Sequence, residues 1–287
     1  MSRKQVKDLF GQIVGDFKTS VGRLPAPPFT VWESYLSDPE VRRQKRHIGD
    51  SAYFGSERAA CLQPENQSKK SCYRNSQSVF NPATAYWIFN RYAPKKGICY
   101  DPFAGGGTRA IMAARHGMDY IGIEIRKNEC EAILRRAKRN KVSKKVKIIC
   151  GDSRSVPMVE DEIADFLITC PPYWNVEHYR GGKKDLSMLG TYDEFNKGIQ
   201  KSINESYRIL KKGAISVWVI GLVRDLDGYL QGMNHDTARM HRTGFKMLEE
   251  IPIIFRGTPA IQRIGMFTKG NHNLVRVHEY AQIFQRI

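Results

Sequence analysis

From residue 78 onward, short apolar runs alternate with segments of helical period. Gly97-Ile98-Cys99-Tyr100 is one such run. Arg109 to His116 follows with a helical pattern and ends at Gly117. Tyr120-Ile121-Gly122-Ile123-Glu124-Ile125 is a second run, with an acid near its end. Strand, glycine turn, helix and strand in this order make a βαβ unit. The alternation continues through a helix over Lys127 to Asn140, with strands at Val146 to Cys150 and Asp165 to Thr169. A helix from Tyr192 to Leu210 is apolar at Phe195, Ile199, Ile203, Tyr207 and Leu210. A fifth strand covers Ala214 to Val223, and a helix covers Asp236 to His241. Lys246 to Phe255 and Val275 to Gln285 complete the set. The pattern predicts an α/β fold: a seven-stranded, mostly parallel sheet ending in an antiparallel pair, with helices on both faces.

The first 77 residues lack this alternation. Phe10, Ile13, Val14 and Phe17 stand near helical spacing, which predicts a helix within residues 1–24. Pro25-Ala26-Pro27-Pro28 then breaks the chain. A basic cluster follows at Arg42, Arg43, Lys45 and Arg46, and residues 49–77 are polar and irregular. The organisation read from this is a basic appendage over residues 1–77 and a principal domain over residues 78–287. The cluster suits phosphate contacts and equally suits a solvated charged face.

Charge narrows the partners. The formal net charge is +17 and the pI about 9.7, a balance that favours a polyanion such as nucleic acid. Six cysteines are scattered without a C-x-x-C pair, so no zinc pattern is present and no metal is expected. Cys99 and Cys150 lie in apolar runs and read as buried thiols in a reducing, cytoplasmic setting. The start, Met1-Ser2-Arg3-Lys4, does not read as a secretory leader, and no apolar run is long enough to span a membrane.

Two stretches carry the candidate chemistry. In Asp101-Pro102-Phe103-Ala104-Gly105-Gly106-Gly107-Thr108, glycines let the backbone approach a ligand where a Cβ would clash. The helix start behind them offers N–H groups, and Glu124, further on, can take a pair of ribose hydroxyls. The spacing departs from G-x-G-x-x-G, so the turn alone also fits a plain tight turn. In the second stretch, Thr169 ends a strand and Cys170-Pro171-Pro172-Tyr173-Trp174 follows. Two prolines stop a strand abruptly, leaving an aromatic at its C-terminal end. That is the edge where open α/β sheets bind ligands.

Together the two stretches resemble the motifs of the amino-methylating DNA methyltransferases, in their solitary phage-type form. That family uses S-adenosylmethionine on adenine N6 or cytosine N4. The resemblance implies a Rossmann-like methyltransferase fold over residues 78–287 and S-adenosylmethionine as cofactor. It implies cofactor contacts at Asp101, Phe103, Gly105, Gly107, Thr108, Glu124 and Asp152, and less directly at Ser78, Phe80 and Pro82. By itself, Asn81-Pro82 reads as an ordinary helix start. The resemblance further implies that Cys170, Pro171, Pro172 and Tyr173 receive the target base. Cys170 departs from the Asp, Asn or Ser usual there, and sulfur is a weak acceptor. The expected partner is DNA, double-stranded by preference, with adenine N6 slightly favoured over cytosine N4. The readings left open are an RNA methyltransferase and a catalytically decayed binding protein. A cysteine nucleophile of the cytosine-C5 kind fits poorly, because there the Cys follows the prolines. Trp174, Arg180, Lys183 and Lys184 stand beside the expected site in a polar loop over residues 175–191. Its glycines and charge predict a mobile lid or a DNA-contacting loop. No insertion is as large as a recognition domain, which predicts short or weak sequence specificity. A role in restriction–modification is implied by the resemblance alone.

Overall fold

The computed structural model describes residues 80–174, 179, 181–225, 227–255 and 278–287, together with the backbone of three short strands at residues 6–7, 13–15 and 32–34. Eight strands form the main sheet: β1 (Trp32–Ser34), β2 (Ile98–Asp101), β3 (Asp119–Glu124), β4 (Val146–Cys150), β5 (Ala164–Thr169), β6 (Leu210–Ile220), β7 (Phe245–Phe255) and β8 (His278–Arg286). The helices are α1 (Pro82–Tyr92), α2 (Thr108–His116), α3 (Lys127–Arg139), α4 (Tyr192–Ile209) and α5 (Met233–Met240). Across the sheet the order is β1-β7-β8-β6-β5-β2-β3-β4. β8 runs antiparallel to both β6 and β7, and the other pairings are parallel. This is the expected seven-stranded Rossmann-like sheet with one addition, β1, which the sequence pattern did not signal.

Strand alternation explains the layers. Phe166 and Ile168 of β5 pack with Ile88 and Phe89 of α1, Ile111 of α2 and Ile133 of α3. Leu167, between them, points to the other face and joins Phe195, Ile199 and Ile203 of α4 and Met233 of α5; Ala164 also joins that face, across an irregularity in the strand before Phe166. A period of two along one strand therefore feeds two cores. Sequence order reverses about β2, which has β3 on one side and β5 on the other. That reversal is a topological switch point, and ligands of open α/β sheets bind in the crevice it creates.

Local signals set the helix ends. Asn81 caps α1 by accepting from Ala83 N at 2.9 Å, with Pro82 at the first turn. Thr191 and Glu194 form a capping box on α4. Gly117 closes α2 at φ 118°, where a Cβ would stand 2.6 Å from Lys95 O.

Two expectations change. The helix expected within residues 1–24 is replaced, at Val6–Lys7 and Ile13–Gly15, by an antiparallel strand pair. The β-branched Val6, Ile13 and Val14 favour extended backbone over helix. Cys150 is exposed rather than buried, because β4 is the edge strand and Cys150 ends it.

A buried histidine gives the fold a pH dependence. His241 donates from Nδ1 to Thr237 O at 2.8 Å and stacks on Phe284 with 3.9 Å between ring centroids. Burial lowers its pKa to about 3, and the Thr237 contact opposes this only in part. The ring therefore stays neutral in the fold, whereas an unfolded histidine takes a proton near pH 6.5. Its contribution is fully present above that value and is lost as pH falls towards 3. The expected slope is about 1.4 kcal/mol per pH unit below pH 6.5. Urea unfolding of the parent and His241→Phe at pH 7.5 and 5.5 checks this. Equal slopes in the two proteins would remove His241 as the cause.

Candidate active site

The turn after β2 is built around a buried carboxylate. Asp101 is fully enclosed and accepts four hydrogen bonds. Oδ1 accepts from Phe103 N at 3.0 Å and from Thr169 Oγ1 at 2.7 Å. Oδ2 accepts from Arg109 Nε and from Tyr120 Oη, both at 2.7 Å. One side chain thus ties together the turn, helix α2, strand β3 and the end of strand β5. Arg109 also donates to Phe103 O and lies 4.8 Å from the Phe80 ring centroid. Burial alone would lower the Arg109 pKa, and the adjacent Asp101 carboxylate more than reverses that, so the guanidinium stays charged.

The glycines differ in what surrounds them. Gly105 (φ 53°) and Gly107 (φ 76°) are left-handed. At Gly107 a Cβ would meet Ile133 at 2.8 Å, so α3 closes on that side. At Gly106 a Cβ meets nothing within 4 Å, and at Gly105 only Phe103 O at 3.7 Å. The turn therefore has one packed side and one open side. Arg136, held by Glu129 at 2.5 Å, pins the turn by donating to Gly106 O at 3.0 Å. At the start of α2, Thr108 Oγ1 is buried with no hydrogen-bond partner among the described residues.

Two acids stand at the ends of the next strands. Glu124 Oε1 accepts from Arg126 N at 2.9 Å and Arg126 Nε at 3.0 Å. Burial pushes its carboxyl up against the pull of Arg126. Asp152, just beyond β4, is gripped by Arg154, which donates from Nη2 at 2.6 Å and from Nε at 2.9 Å. Partial burial would raise the Asp152 pKa, but the Arg154 hydrogen bonds outweigh it and the carboxyl sits below its ordinary value. Arg154 also donates to Lys184 O at 2.9 Å, which joins this acid to the loop after β5.

Cys170-Pro171-Pro172-Tyr173 leaves the end of β5 beside the turn. The Cys170 thiol is half-buried, and its Sγ lies 3.5 Å from Tyr173 Oη. Tyr173 in turn donates to Glu279 Oε1 at 3.0 Å. Its ring lies against Gly221, where a Cβ would come within 2.7 Å of it. Trp174 faces inward: its indole is buried, donates to Leu189 O at 3.1 Å and packs on Tyr192. The expectation that Trp174 meets nucleic acid is therefore corrected, because its ring is spent on anchoring the loop.

Part of the loop is tied to the core among its described residues. Buried Asp185 accepts from Gly181 N, Ser187 N and Ser187 Oγ at 2.7–3.0 Å, and Leu186 enters the core. Lys183 and Lys184 are exposed on it. Ser78, Arg42, Arg43, Lys45, Arg46 and Arg180 lie outside the described residues. Phe80 packs beside the turn against Arg109, and Pro82 is buried in α1. Sequence reading missed Arg109, Arg126, Arg154 and Glu279. The three arginines lie close to acids in sequence, a usable signal, but Glu279 is 106 positions from Tyr173.

Comparison with known proteins bears on this site. Residues 18–135 match the family described as DNA methylase, the N6/N4 kind. Residues 96–212 match the family described as RNA cap guanine-N2 methyltransferase. Both spans contain the glycine turn. Over these spans the chain is similar to two families of methyltransferases. Each match covers less than half of the chain, and no curated protein matches it. Solved structures show the same fold. TrmN from Thermus thermophilus is 13% identical with a TM-score of 0.52, over 74% of this chain and 50% of its own. The chain thus spans half the length of that TrmN. The [4+2]-cyclase SpnF is 15% identical with a TM-score of 0.54, over 89% of this chain and 98% of its own. Geranyl diphosphate C-methyltransferase from Streptomyces coelicolor A3(2), solved with S-adenosyl-L-homocysteine, is 12% identical with a TM-score of 0.52, over 88% and 100%. The residues present suit the cofactor: an open glycine face, a buried hydroxyl without a partner among the described residues, and acids at the end of β3 and just beyond β4.

Proposed function

We propose that this chain is a methyltransferase, which moves the methyl group of S-adenosylmethionine to the exocyclic amine of a flipped base in DNA, with adenine N6 slightly favoured. The observation that carries the reading is the junction of its two motifs. Thr169, directly before Cys170, is hydrogen-bonded to Asp101 at the start of the glycine turn. The cofactor turn and the amine-receiving tetrapeptide are therefore one rigid assembly across the switch point.

The roles follow from chemistry. Gly105, Gly106, Gly107 and Thr108 hold the methionine end, with Asp101 and Phe103 shaping the turn from beneath. Glu124 takes the ribose hydroxyls, and Asp152 with Arg154 borders the adenine. Phe80 and Pro82 brace the turn through Arg109 and α1. When bound, S-adenosylmethionine supplies an already activated methyl group, so the chain's task is placement. The amine is a poor nucleophile because its lone pair is delocalised into the ring. Acceptors for its two hydrogens, Cys170 Sγ and the Pro171 carbonyl, hold it in place. Tyr173 supports the base, which must leave a duplex stack at a cost of a few kcal/mol. Lys183 and Lys184 face the backbone phosphates.

Nucleoside mass spectrometry after incubation with duplex DNA, single-stranded DNA and RNA tests the reading. A methyl gain on deoxyadenosine supports it, and a gain on deoxycytidine at N4 reverses the base. The span shared with the RNA cap guanine-N2 family favours one second reading, an RNA amine. Gain on RNA alone would establish that instead. Methylation mapping on random DNA is expected to find a short or loose target, and a long strict site would refute this.

Gly221→Ala separates the tetrapeptide from the cofactor turn. Its Cβ would crowd the Tyr173 ring from 2.7 Å, a backbone-anchored clash that the ring must leave. Overpacking of this kind costs about 1–3 kcal/mol. Methyl transfer is expected to fall about tenfold or more while cofactor affinity is unchanged. Equal loss of both would mean that Gly221 shapes the whole site.

A further inference from the structure

Two sulfurs meet beside the acids of the candidate site. Along β4, Ile148 packs with the core that holds α1, α2 and α3, and Ile149 packs with the opposite core. Cys150, the next residue, therefore stands on the α3 face. It pairs in register with Glu124 of β3. Cys130, in the first turn of α3, is buried and donates from Sγ to Glu124 O at 3.4 Å. The two thiols thus converge on one residue, from the helix and from the neighbouring strand, and lie within hydrogen-bonding contact of each other. Neither is in a disulfide, and Cys150 is exposed at the end of the edge strand. We propose that Cys130 and Cys150 form a dithiol site, oxidised to a disulfide by low-molecular-weight disulfides such as oxidised glutathione, and that this bond weakens cofactor binding. The second half of the proposal rests on the cofactor reading above.

Exposure divides the roles of the two sulfurs. A disulfide is attacked by a thiolate, so the attacking sulfur must be within reach of the oxidant. Cys150 is exposed and meets it first. Burial pushes the Cys130 thiol up, and its contact with Cys150 pushes the same way. Cys130 therefore keeps its proton behind the surface, the place of a resolving thiol. In the first step the Cys150 thiolate bonds to one sulfur of the oxidant, and the other sulfur leaves as a thiolate. In the second, the Cys130 sulfur bonds to Cys150 Sγ, and the remaining oxidant sulfur leaves as a thiolate. The Cys150 proton, given up to water before the attack, returns to the first leaving thiolate, and the Cys130 proton goes to the second. The chain loses a pair of electrons and a pair of protons, and the oxidant becomes a pair of thiols.

The bond acts where the two acids are held. Glu124 O also accepts from Gly151 N at 3.0 Å, and Gly151 directly precedes Asp152. A disulfide sulfur has no proton, so oxidation takes the Cys130 donor away from Glu124 O. It also ties the first turn of α3 to the end of β4. Arg126, at the entry to that turn, is the residue that holds Glu124 Oε1. The acids assigned to the ribose and the adenine therefore share the junction that the disulfide alters.

Peptide mass mapping of the full chain after incubation with oxidised glutathione tests the site. The expected product is a Cys130–Cys150 disulfide that dithiothreitol reverses. In Cys130→Ser the resolving sulfur is gone, so Cys150 should keep a glutathione adduct. In Cys150→Ser, Cys130 should stay unmodified. Titration calorimetry reads the consequence. Affinity for S-adenosylmethionine should fall about tenfold on oxidation, the scale of one lost buried hydrogen bond, and recover on reduction. The double variant, Cys130→Ser with Cys150→Ser, should bind as the reduced parent does, with or without the oxidant. That control separates the dithiol from Cys170. A parent that keeps a stable adduct on Cys150, bonds it to another cysteine or does not react there would overturn the site. A Cys130–Cys150 bond without loss of affinity would overturn its control of the cofactor. If the reduced parent binds no S-adenosylmethionine, the cofactor reading falls and the control with it, while the mapping still decides the dithiol.

Discussion

Asp101→Asn is expected to lower the stability of the fold by about 3–5 kcal/mol, the cost of leaving a buried charge without its partner. The Arg109 side chain is 5% exposed and Asp101 is fully enclosed. Burial opposes the Arg109 charge, and the carboxylate is what sustains it. An amide of the same size removes that compensation. It also sets an N–H₂ group against donors, because Asp101 receives two on each oxygen: Phe103 N and Thr169 on one, Arg109 and Tyr120 on the other. Denaturant unfolding measures the loss. A second variant, Asp101→Asn with Arg109→Met, removes both charges and is expected to recover part of it, because an apolar side chain needs no partner there. A single-variant loss below about 1 kcal/mol would show that the four-way junction is not what holds the turn. Cofactor affinity is expected to fall in parallel, since the turn and the end of β5 are joined through this carboxylate.

That junction shows which parts of the site were legible in sequence. The glycine turn and the Pro-Pro stop were readable because each is local chemistry: left-handed backbone at Gly105 and Gly107, and missing donors at Pro171 and Pro172. Asp165 to Thr169 was readable as a buried strand because its apolar run is continuous, but which core each side chain enters was not. What stayed hidden depends on pairing across distance. Glu279 reaches Tyr173 only because β8 inserts between β6 and β7, a topology that no local pattern near residue 279 encodes. Trp174 misled because an aromatic beside a binding motif reads the same whether its ring turns out or in, and the Leu189 carbonyl settles which. Cys150 misled because an apolar run does not say whether its strand lies at an edge.

The second large effect is expected at Gly106, and it separates cofactor binding from folding. Gly106→Val should leave stability within about 0.5 kcal/mol, as for a substitution that meets no neighbour. Its φ is outside the left-handed range, and a Cβ there meets nothing within 4 Å. Gly107→Val is the contrasting case: φ 76° disfavours a branched side chain, and the Cβ would stand 2.8 Å from Ile133. That variant should lose stability by about 1–3 kcal/mol from strain and crowding. If the open face is where S-adenosylmethionine lies, the valine at 106 occupies the cofactor's volume, and affinity should drop about a hundredfold or more, the equivalent of roughly 3 kcal/mol of overpacking. Titration calorimetry with S-adenosylmethionine, alongside unfolding of the same samples, reads both quantities. A Gly106→Val protein that is stable and binds normally would move the cofactor away from this face. One that loses stability as Gly107→Val does would mean that the turn closes on both sides. Only loss of binding with the fold intact fits a turn whose packed side serves α3 and whose open side serves the ligand.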